Sequence, residues 1–589
     1  HQSEAVDFID RRETGKLPSS LQLWRSIILP NGLLCHKHTI TGLKSSEGIE
    51  TAGGIIGDDM GLGKTLSMLA AIVSSLPRAL QSAFSDTRAP LSQWQDAAPS
   101  KSTLVLVPSA LLLDSWSEEI ERHVARDTLV LHRYHGAGKT ASVTDLLRCD
   151  IVLTTYASIA ADFCRGKSTL HQVLWYRVVL DEAHWIRNSS SKQFRAIYTL
   201  PAKIRWCMTG TPIQNTLDDL GALVKFLRVP IVGELPVFRR YITVPILNNT
   251  SGKFHNLRRL LEVICLRRTK TILNLPEPVT DIRALHLSRE ELTQYRDFGE
   301  LCRYEIDLAV SGHSMKKANQ HVIQAILGMR LFCNDGQAAL AKRLAASTLP
   351  SDPEEALSYL QTSSKSGCIK CDTDVTTMYQ DDDPNTGKLT ICQHLICGEC
   401  LPTYEAELKS SEVNERAQCP ECGLPGEIST FIRPATVAQR QETNIDGKYP
   451  TKLYALLGNI RAQSRNDKCI VFSFWKTTLD IVAQMLDEHG MPHCRIHGQI
   501  PAPKRSKILL DFERTSDIRI LLITLGTGAV GLNKLKVANH IHILEPQWNP
   551  SVESQAIGRV LRLGQEKSVR ITRYIMKNTV EEVSRSIDV

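Results

Sequence analysis

Two stretches constrain the fold more than anything else in this chain: Gly57-Asp58-Asp59-Met60-Gly61-Leu62-Gly63-Lys64-Thr65 and, far downstream, Asp181-Glu182-Ala183-His184. Backbone N–H groups of a glycine-rich turn at a helix N-terminus cradle phosphate oxygens, a lysine there reaches the β- and γ-phosphates, and the next hydroxyl ligates magnesium. Such a turn has to follow a buried strand and open a helix. The acidic pair likewise ends an apolar run, Val178-Val179-Leu180. In this reading Asp59, Met60, Gly61, Leu62, Gly63, Lys64 and Thr65 bind ATP, Thr65 and Asp181 hold Mg2+, and Glu182 polarises the attacking water. Phosphoryl transfer needs positioning and charge neutralisation more than covalent help. Phosphate-handling motifs at the ends of apolar strands imply an α/β fold, a parallel sheet flanked by helices.

The rhythm of short apolar runs ending at polar motifs fills residues 51–210 and returns at 468–575, where strands are expected at Cys469–Phe474, Ile518–Thr524, His540–Leu544 and Val569–Tyr574. Nucleotide motifs divided between two such units imply an ATP site in the cleft between domains. Residues 229–345 read as helical. The Ser/Ala/Pro-rich stretches at about 77–102 and 344–366 read as flexible surface insertions, and Asp381-Asp382-Asp383 as a solvated loop face. A length of 589 residues exceeds what one core organises. The formal charge of +7 is mild, so any nucleic-acid groove must be local. No apolar run reaches the roughly 18 residues that span a bilayer, and no N-terminal stretch resembles a signal peptide, so no membrane partner is expected.

Of sixteen cysteines, seven crowd into one window and nine are scattered singly, which favours a metal site in a reducing compartment over disulfides. Cys207, Cys265 and Cys469 lie in hydrophobic runs and read as buried core residues. The window holds Cys368-x2-Cys371, Cys392-x-His394-x2-Cys397-x2-Cys400 and Cys419-x2-Cys422. Zinc takes four tetrahedral Cys or His ligands, so eight ligands imply two Zn2+. A second Gly-x-Gly-Lys-Thr string, Gly136–Thr140, lacks the acidic-Met lead-in and reads as a surface turn after a strand.

The generic phosphate loop would carry Gly at position 58, and the loop with Asp58 there instead resembles that of SWI/SNF-like ATPases of helicase superfamily two. Thr103–Pro108 with Trp116 resembles motif Ia, Leu153-Thr154-Thr155-Tyr156 the next DNA-contacting motif, and Met208–Asn215 motif III. Ile470–Ser473 is similar to motif IV, Leu522–Thr524 through Gly531-Leu532-Asn533 to motif V, and Gln555–Gln565 to motif VI. His1-Gln2 resembles the end of the Q motif, whose glutamine reads adenine. Leu266–Lys270 and Met329–Asn334 resemble the family's helical extensions. The chain opens inside a motif and stops soon after Thr579–Glu582, so it is expected to be part of a longer protein.

The resemblance implies two RecA-like parallel-sheet lobes, 1–228 and 431–589, with helical extensions and linker at 229–365 and a zinc insertion at 366–430. It makes Gln2 and Gln555 nucleotide-binding residues and Arg559 and Arg562 arginine fingers for the γ-phosphate. Leu561, Gly558 and Gly526-Thr527-Gly528-Ala529 depart from the family's common residues. Thr and Ser residues of motifs Ia to V are expected to contact DNA phosphates through hydroxyls and backbone N–H groups, and Trp548 to pack at a strand end.

The ligand order of the insertion resembles a RING finger, whose cross-brace would pair Cys368, Cys371, Cys397 and Cys400 on one zinc and Cys392, His394, Cys419 and Cys422 on the other. Ile369 and Pro420 stand where ligases of this class dock a ubiquitin-conjugating enzyme, whereas Gly423 stands where they commonly have Arg or Lys. A RING between motor lobes marks the subgroup that includes helicase-like transcription factor and the postreplication-repair translocases. The implied function is an ATP-dependent translocase on double-stranded DNA, nuclear, acting without unwinding in chromatin remodelling or repair, on nucleosomes or branched DNA. A RING-dependent ubiquitin ligase using the motor for DNA targeting, and a non-catalytic scaffold, are the alternatives.

Overall fold

The computed structural model describes the whole chain apart from residues 31–32, 85–93, 95, 167, 215, 274–275, 312–314, 338–352, 363–364, 376–377, 379–385, 411, 414–415, 429–447, 499, 501, 526–534, 548–549, 563 and 583–589. The glycines of motif V, Trp548 and Asp381-Asp382-Asp383 therefore lie outside the described residues. The chain divides into two compact units, His1–Leu273 with Lys370–Thr373, and Asn274–Ile369 with Asp374–Val589.

The first unit begins with helix Gln2–Thr14 and a three-stranded antiparallel sheet of β1 (Trp24–Ile28), β2 (Leu34–His38) and β3 (Lys44–Ser45). Its main sheet has eight strands: β4 (Gly53–Ile56), β5 (Ala98–Pro99), β6 (Thr103–Val107), β7 (Leu131–Arg133), β8 (Ile151–Thr155), β9 (Val173–Asp181), β10 (Ala202–Met208) and β11 (Cys265–Leu266). They lie in the order β11-β4-β10-β9-β6-β8-β7, with β5 beside β9, and every pair is parallel. Every residue of β6, β8 and β9 is buried, as strands covered on both faces require. Trp175, Phe194, Phe226 and Phe238 anchor the core.

Arg177 is one of the buried charges that interrupt this apolar sheet. Arg177 of β9 is 1% exposed, and its guanidinium donates to both Glu13 oxygens at 2.6 and 2.5 Å, to Ser75 Oγ at 2.8 Å and to Thr103 Oγ1 at 3.1 Å. A buried charge persists only when paired and hydrogen-bonded in this way. The pair clasps helix Gln2–Thr14 to the sheet, and Arg12 adds bonds to the Gly53 and Thr51 carbonyls at 2.8 and 2.6 Å.

The second unit holds β12 (Val279–Leu285), β17 (Cys469–Ser473), β18 (His493–Ile496), β19 (Ile520–Thr524), β20 (His540–Ile543) and β21 (Arg570–Met576). They form an all-parallel sheet in the order β12-β21-β20-β17-β19-β18. Successive residues face opposite sides and both are apolar: Ile470 and Phe472 enter one core cluster and Cys469 and Val471 another. Small pairs β13 (Gly387–Leu389) with β14 (Leu395–Cys397) and β15 (Glu412–Val413) with β16 (Arg416–Ala417) belong to the cysteine-rich insertion. Helix Met315–Asp335 is tied in by a buried knot in which Lys452 Nζ donates to Asn334 Oδ1 at 2.7 Å and Glu581 Oε1 at 2.6 Å, both charges being 0% exposed.

The four strands expected in the second half form within two residues of their expected ends. Three other readings are corrected. The helical stretch 229–345 contains β11 and β12, and β12 joins the second sheet beside β21, its mixed polar and apolar Val-Thr-Asp-Ile-Arg-Ala-Leu suiting an exposed edge strand. The stretch 77–102 is not simply a surface insertion: Leu76–Phe84 is helical, and Ser100 and Ser102 are buried beside the sheet. Within 344–366, Pro353–Thr362 is a helix that buries Ala356, Leu357, Tyr359 and Leu360.

Candidate active site and metal centres

An all-parallel sheet sends the carboxyl ends of its strands to one edge, where such folds bind ligands. In register, Ile56 pairs Met208 and Met208 pairs Asp181, so the loop after β4, the acid ending β9 and the Thr209 turn after β10 emerge side by side.

The loop after β4 opens helix Lys64–Ser74, and Gly61 and Gly63 take left-handed φ of 90° and 80°. The positive φ favours glycine at Gly63, and the Gln2 side chain lies against it, Nε2 standing 2.3 Å from where a Cβ would be. Helix Gln2–Thr14, fixed at its far end by Glu13 and Arg177, thus sets the Gln2 carboxamide on the loop and brings His1 Nε2 within 3.3 Å of the Leu62 carbonyl. Lys64 Nζ donates to the Asp58 carbonyl at 2.7 Å.

The carboxylates of Asp58 and Asp59 are both tied to the segment after β11. The Asp58 carboxylate is 1% exposed and accepts from Arg268 Nη2 at 2.5 Å, Nε at 3.1 Å and backbone N at 3.0 Å. Asp59 Oδ2 accepts from the Lys270 N–H at 3.1 Å, and the Asp59 N–H donates to the Arg268 carbonyl at 2.9 Å. The phosphate loop is thereby stitched to the segment after β11.

Asp181 ends β9. Its Oδ2 accepts from Trp116 Nε1 at 2.8 Å, its Oδ1 from the Glu182 N–H at 3.0 Å, and its carbonyl from the Tyr156 hydroxyl at 2.8 Å. Burial, and then the charge of Glu182, push this carboxyl up to about 6. Glu182 takes a left-handed φ of 50°, a conformation costing a non-glycine residue about 1 kcal/mol and typical of functional turns. Its Oε2 is 3.4 Å from His184 Nδ1, which is 3.5 Å from Thr209 Oγ1. Gly210 packs on the phosphate loop, since a Cβ there would lie 3.3 Å from Met60 Cγ. An acidic pair, Asp181 buried and Glu182 partly so, within reach of the Lys64 charge and under a glycine-lined loop, fits a magnesium–triphosphate.

Trp116, Tyr156, His184 and Thr209 carry positioning roles that the motif spacing does not reveal. One expectation is overturned. Thr154 and Thr155 are 0% exposed, with Thr154 Oγ1 bonded to the Tyr134 carbonyl at 2.9 Å and Thr155 Oγ1 capping the helix Tyr156–Cys164 by accepting from the Ser158 N–H at 3.1 Å. Thr103 Oγ1 accepts from Arg177 Nη1 at 3.1 Å, and Ser473 Oγ donates to Glu545 Oε1 at 3.1 Å. These hydroxyls are consumed inside the fold and are withdrawn as phosphate contacts.

The string Gly136–Thr140 forms a 3-10 turn after β7, and Lys139 pairs Asp162 at 3.4 Å. In the second unit Gln555 and Arg559 sit on helix Pro550–Val560, Arg559 in its last turn, and Arg562 follows the helix with its N–H donating to the Val560 carbonyl at 3.0 Å. All three are partly buried. Burial pushes the Cys207 thiol up and that of Cys469 up to about 12, as befits inert core residues, while Cys265 is partly buried.

Seven cysteines and His394 gather into two groups, Cys368, Cys371, Cys397 and Cys400, and Cys392, His394, Cys419 and Cys422, each with its ligand atoms within 4.8 Å of one another. Three thiols converge on His394 Nδ1, Cys392 at 3.4 Å, Cys419 at 3.5 Å and Cys422 at 3.9 Å. In a tetrahedron with bonds of about 2.3 Å, ligand atoms stand about 3.8 Å apart, so both groups fit zinc. The Tyr404 hydroxyl donates to the Gly426 carbonyl at 2.8 Å and packs helix Leu401–Ser410 on the second group. Ile369 is partly buried and Pro420 exposed; Gly423 takes a left-handed φ of 70° with open space around it. Among the described residues, no helix is long and apolar enough to cross a membrane.

Residues 1–338 match the SNF2-related domain, and residues 450–564 match the helicase conserved C-terminal domain. DNA repair protein RAD5B of Arabidopsis thaliana is 30% identical over 584 residues, covering 90% of this chain and 44% of that protein. DNA repair protein rad8 of Schizosaccharomyces pombe is 31% identical over 589 residues, covering 90% and 51%. Helicase-like transcription factor of Homo sapiens is 30% identical over 503 residues, covering 82% and 49%. The chain thus spans about half the length of the curated relatives it matches. A solved Sulfolobus solfataricus SWI2/SNF2 ATPase core in complex with dsDNA aligns over 91% of this chain and 85% of its own at 21% identity, with a TM-score of 0.34. With the SNF2-related domain matched over more than half its length and the nucleotide-handling residues gathered at one edge of a parallel sheet, the chain belongs to the SNF2-related family.

Proposed function

We propose that the chain couples ATP hydrolysis to movement along double-stranded DNA without separating the strands, in nuclear DNA repair or chromatin remodelling, with nucleosomes or branched DNA as substrates. One observation carries the reading: the Lys64 loop, Asp181, Glu182 and Thr209 emerge from register-matched ends of β4, β9 and β10. The names of the relatives, DNA repair proteins and a helicase-like transcription factor, support DNA as partner.

Bound magnesium–ATP would supply the phosphoryl group and the charge that offsets the acidic pair. Lys64 would exchange its loop carbonyls for phosphate oxygens, Thr65 and Asp181 would hold the metal, and Gln2 would read the base. Glu182 would orient the attacking water, its carboxylate aimed by His184 and its backbone held by Asp181. Arg559, Arg562 and Gln555 would complete the charge on the γ-phosphate in the hydrolysing state, making turnover conditional on motor movement. ATP turnover measured with duplex, single-stranded and branched DNA tests the reading: stimulation by duplex is expected, and equal rates with and without DNA would sink it.

The second reading is a RING-type ubiquitin ligase built on the two zincs. The two four-ligand groups and the exposed Pro420 favour it. Discharge of a charged ubiquitin-conjugating enzyme by the full chain tests it, and failure across a panel of such enzymes would leave the insertion a zinc-stapled structural element.

A further inference from the structure

The small sheet ahead of the phosphate loop takes no part in the motor described above. In its register Arg25 stands opposite Lys37 and Lys37 opposite Lys44. Three cations thus lie side by side on one face, neighbouring Cβ atoms roughly 5 Å apart. All three are exposed, and among the described residues none has an ion-pair partner. Like charges placed directly opposite destabilise a sheet, and between Trp24 and Ser45 the sequence contains no Asp or Glu to relieve them.

At the far end of the ribbon the apolar residues point into solvent. Ile28 and Leu34 form a cross-strand pair that is 76% and 63% exposed, and Leu33 beside them is 63% exposed. The base, in contrast, is fixed. Trp24 and His38 meet edge to face at 5.1 Å, Glu50 Oε1 accepts from the Leu23 and Trp24 N–H groups at 2.5 and 3.0 Å, and Arg259 Nη2 donates to the Gln22 carbonyl at 2.6 Å.

We propose that this β-ribbon is a second DNA contact, its shaft neutralising phosphates through Arg25, Lys37 and Lys44 and its tip of Ile28, Leu33 and Leu34 seated against an unstacked base step at a fork, nick or end. A ribbon fixed at its base, with a cationic shaft and an apolar tip, matches what a bent or interrupted duplex offers, phosphate charge along the strand and an opened stacking gap. An acidic protein would satisfy the cations and leave the tip without a role. The contact rests on the reading of the chain as a DNA motor and assigns the choice of interrupted duplex to this ribbon.

The test uses the full chain, a triple variant Arg25→Ala, Lys37→Ala, Lys44→Ala and a double variant Ile28→Ser, Leu34→Ser, with folding checked by circular dichroism. Affinity is measured by fluorescence anisotropy, without nucleotide and across a salt series, on a continuous duplex and a forked duplex of equal length; polyglutamate serves as competitor. The triple variant should bind both DNAs about 10-fold more weakly and reduce the slope of log Kd against log salt by about 2 to 3, as three lost phosphate contacts require. Its maximal ATP turnover at saturating DNA should remain. The double variant should keep the slope and lose the preference for the fork. A triple-variant slope within about half a unit of the parent's overturns the proposal, as does a parent with no preference for the fork, or a row whose loss releases polyglutamate but not DNA. If DNA fails to stimulate ATP turnover in the parent, the motor reading falls, while the salt slopes still judge the ribbon.

Discussion

Arg268 Nη2 lies 2.5 Å from Asp58 Oδ2, and the Arg268 N–H donates to Asp58 Oδ1 at 3.0 Å. The position that carries glycine in the general phosphate loop is therefore an anchor, joining the loop to residues 210 positions later in the chain. Arg268→Ala leaves a buried carboxylate without its partner and should destabilise the first unit by about 3 kcal/mol while weakening ATP binding. The double variant Asp58→Gly, Arg268→Ala should recover much of that loss. Chemical denaturation of the parent, the two single variants Asp58→Gly and Arg268→Ala, and the double variant checks the coupling; additive effects would remove the anchor.

Glu182→Gln should bind ATP with nearly unchanged affinity and hydrolyse it at least about 10²-fold more slowly, since this carboxylate acts mainly in the transition state. Lys64→Ala should abolish binding or turnover, and Lys139→Ala, whose ammonium is paired with Asp162, should be silent. Arg559→Ala and Arg562→Ala should leave ATP affinity unchanged and depress the DNA-stimulated rate. Steady-state and single-turnover rates separate these outcomes, and wild-type turnover in Glu182→Gln would reassign the water-positioning group.

What could be read from the sequence tracks how local each signal is. The phosphate loop, the acidic pair and the eight zinc ligands are short patterns whose spacing already encodes their geometry. The strands β17 and β19 announce themselves as apolar runs, Cys469-Ile470-Val471-Phe472 and Ile520-Leu521-Leu522-Ile523. In contrast, β12 is a half-polar edge strand completed by β21 almost 300 residues on, and no local period reveals that partner. Trp116 reaches Asp181 across 65 positions, for the same reason unreadable in advance. The hydroxyls of Thr154 and Thr155 belong to motifs that handle DNA by resemblance, but hydrogen-bond satisfaction inside the sheet takes them first.

Elemental analysis should find two zinc ions per chain, and Cys368→Ser or Cys419→Ser should unfold the insertion while both sheets persist. Gly423→Arg would restore the basic residue common in ligases, but φ of 70° there imposes a penalty of about 1 kcal/mol on any L side chain. We expect that variant to raise ubiquitin discharge and to lower the melting temperature of the insertion together; a rise in discharge with no loss of stability would contradict the strain.

Histidine burial sets a pH limit on stability. His542 is 1% exposed and sits between the Tyr574 hydroxyl at 3.0 Å and the Gln463 carboxamide at 2.7 Å. Burial, and secondarily the charge of His540, hold its imidazole down to about 3, whereas the unfolded chain titrates near 6.5. Because the folded value is depressed, its contribution is complete above pH ~6.5 and is lost as pH falls toward ~3, at up to about 1.4 kcal/mol per pH unit. Denaturant midpoints between pH 7 and 4 should show that slope shrinking by about this amount in His542→Gln; an unchanged slope would mean the imidazole is charged in the fold.

Displacement of a triplex-forming strand from a long duplex distinguishes translocation from binding, because only movement along the double helix removes that third strand while leaving the duplex intact. ATP-dependent displacement is expected from the full chain, none from Glu182→Gln, and no release of single strands from the duplex. Duplex-stimulated ATP turnover with no triplex displacement would contradict translocation.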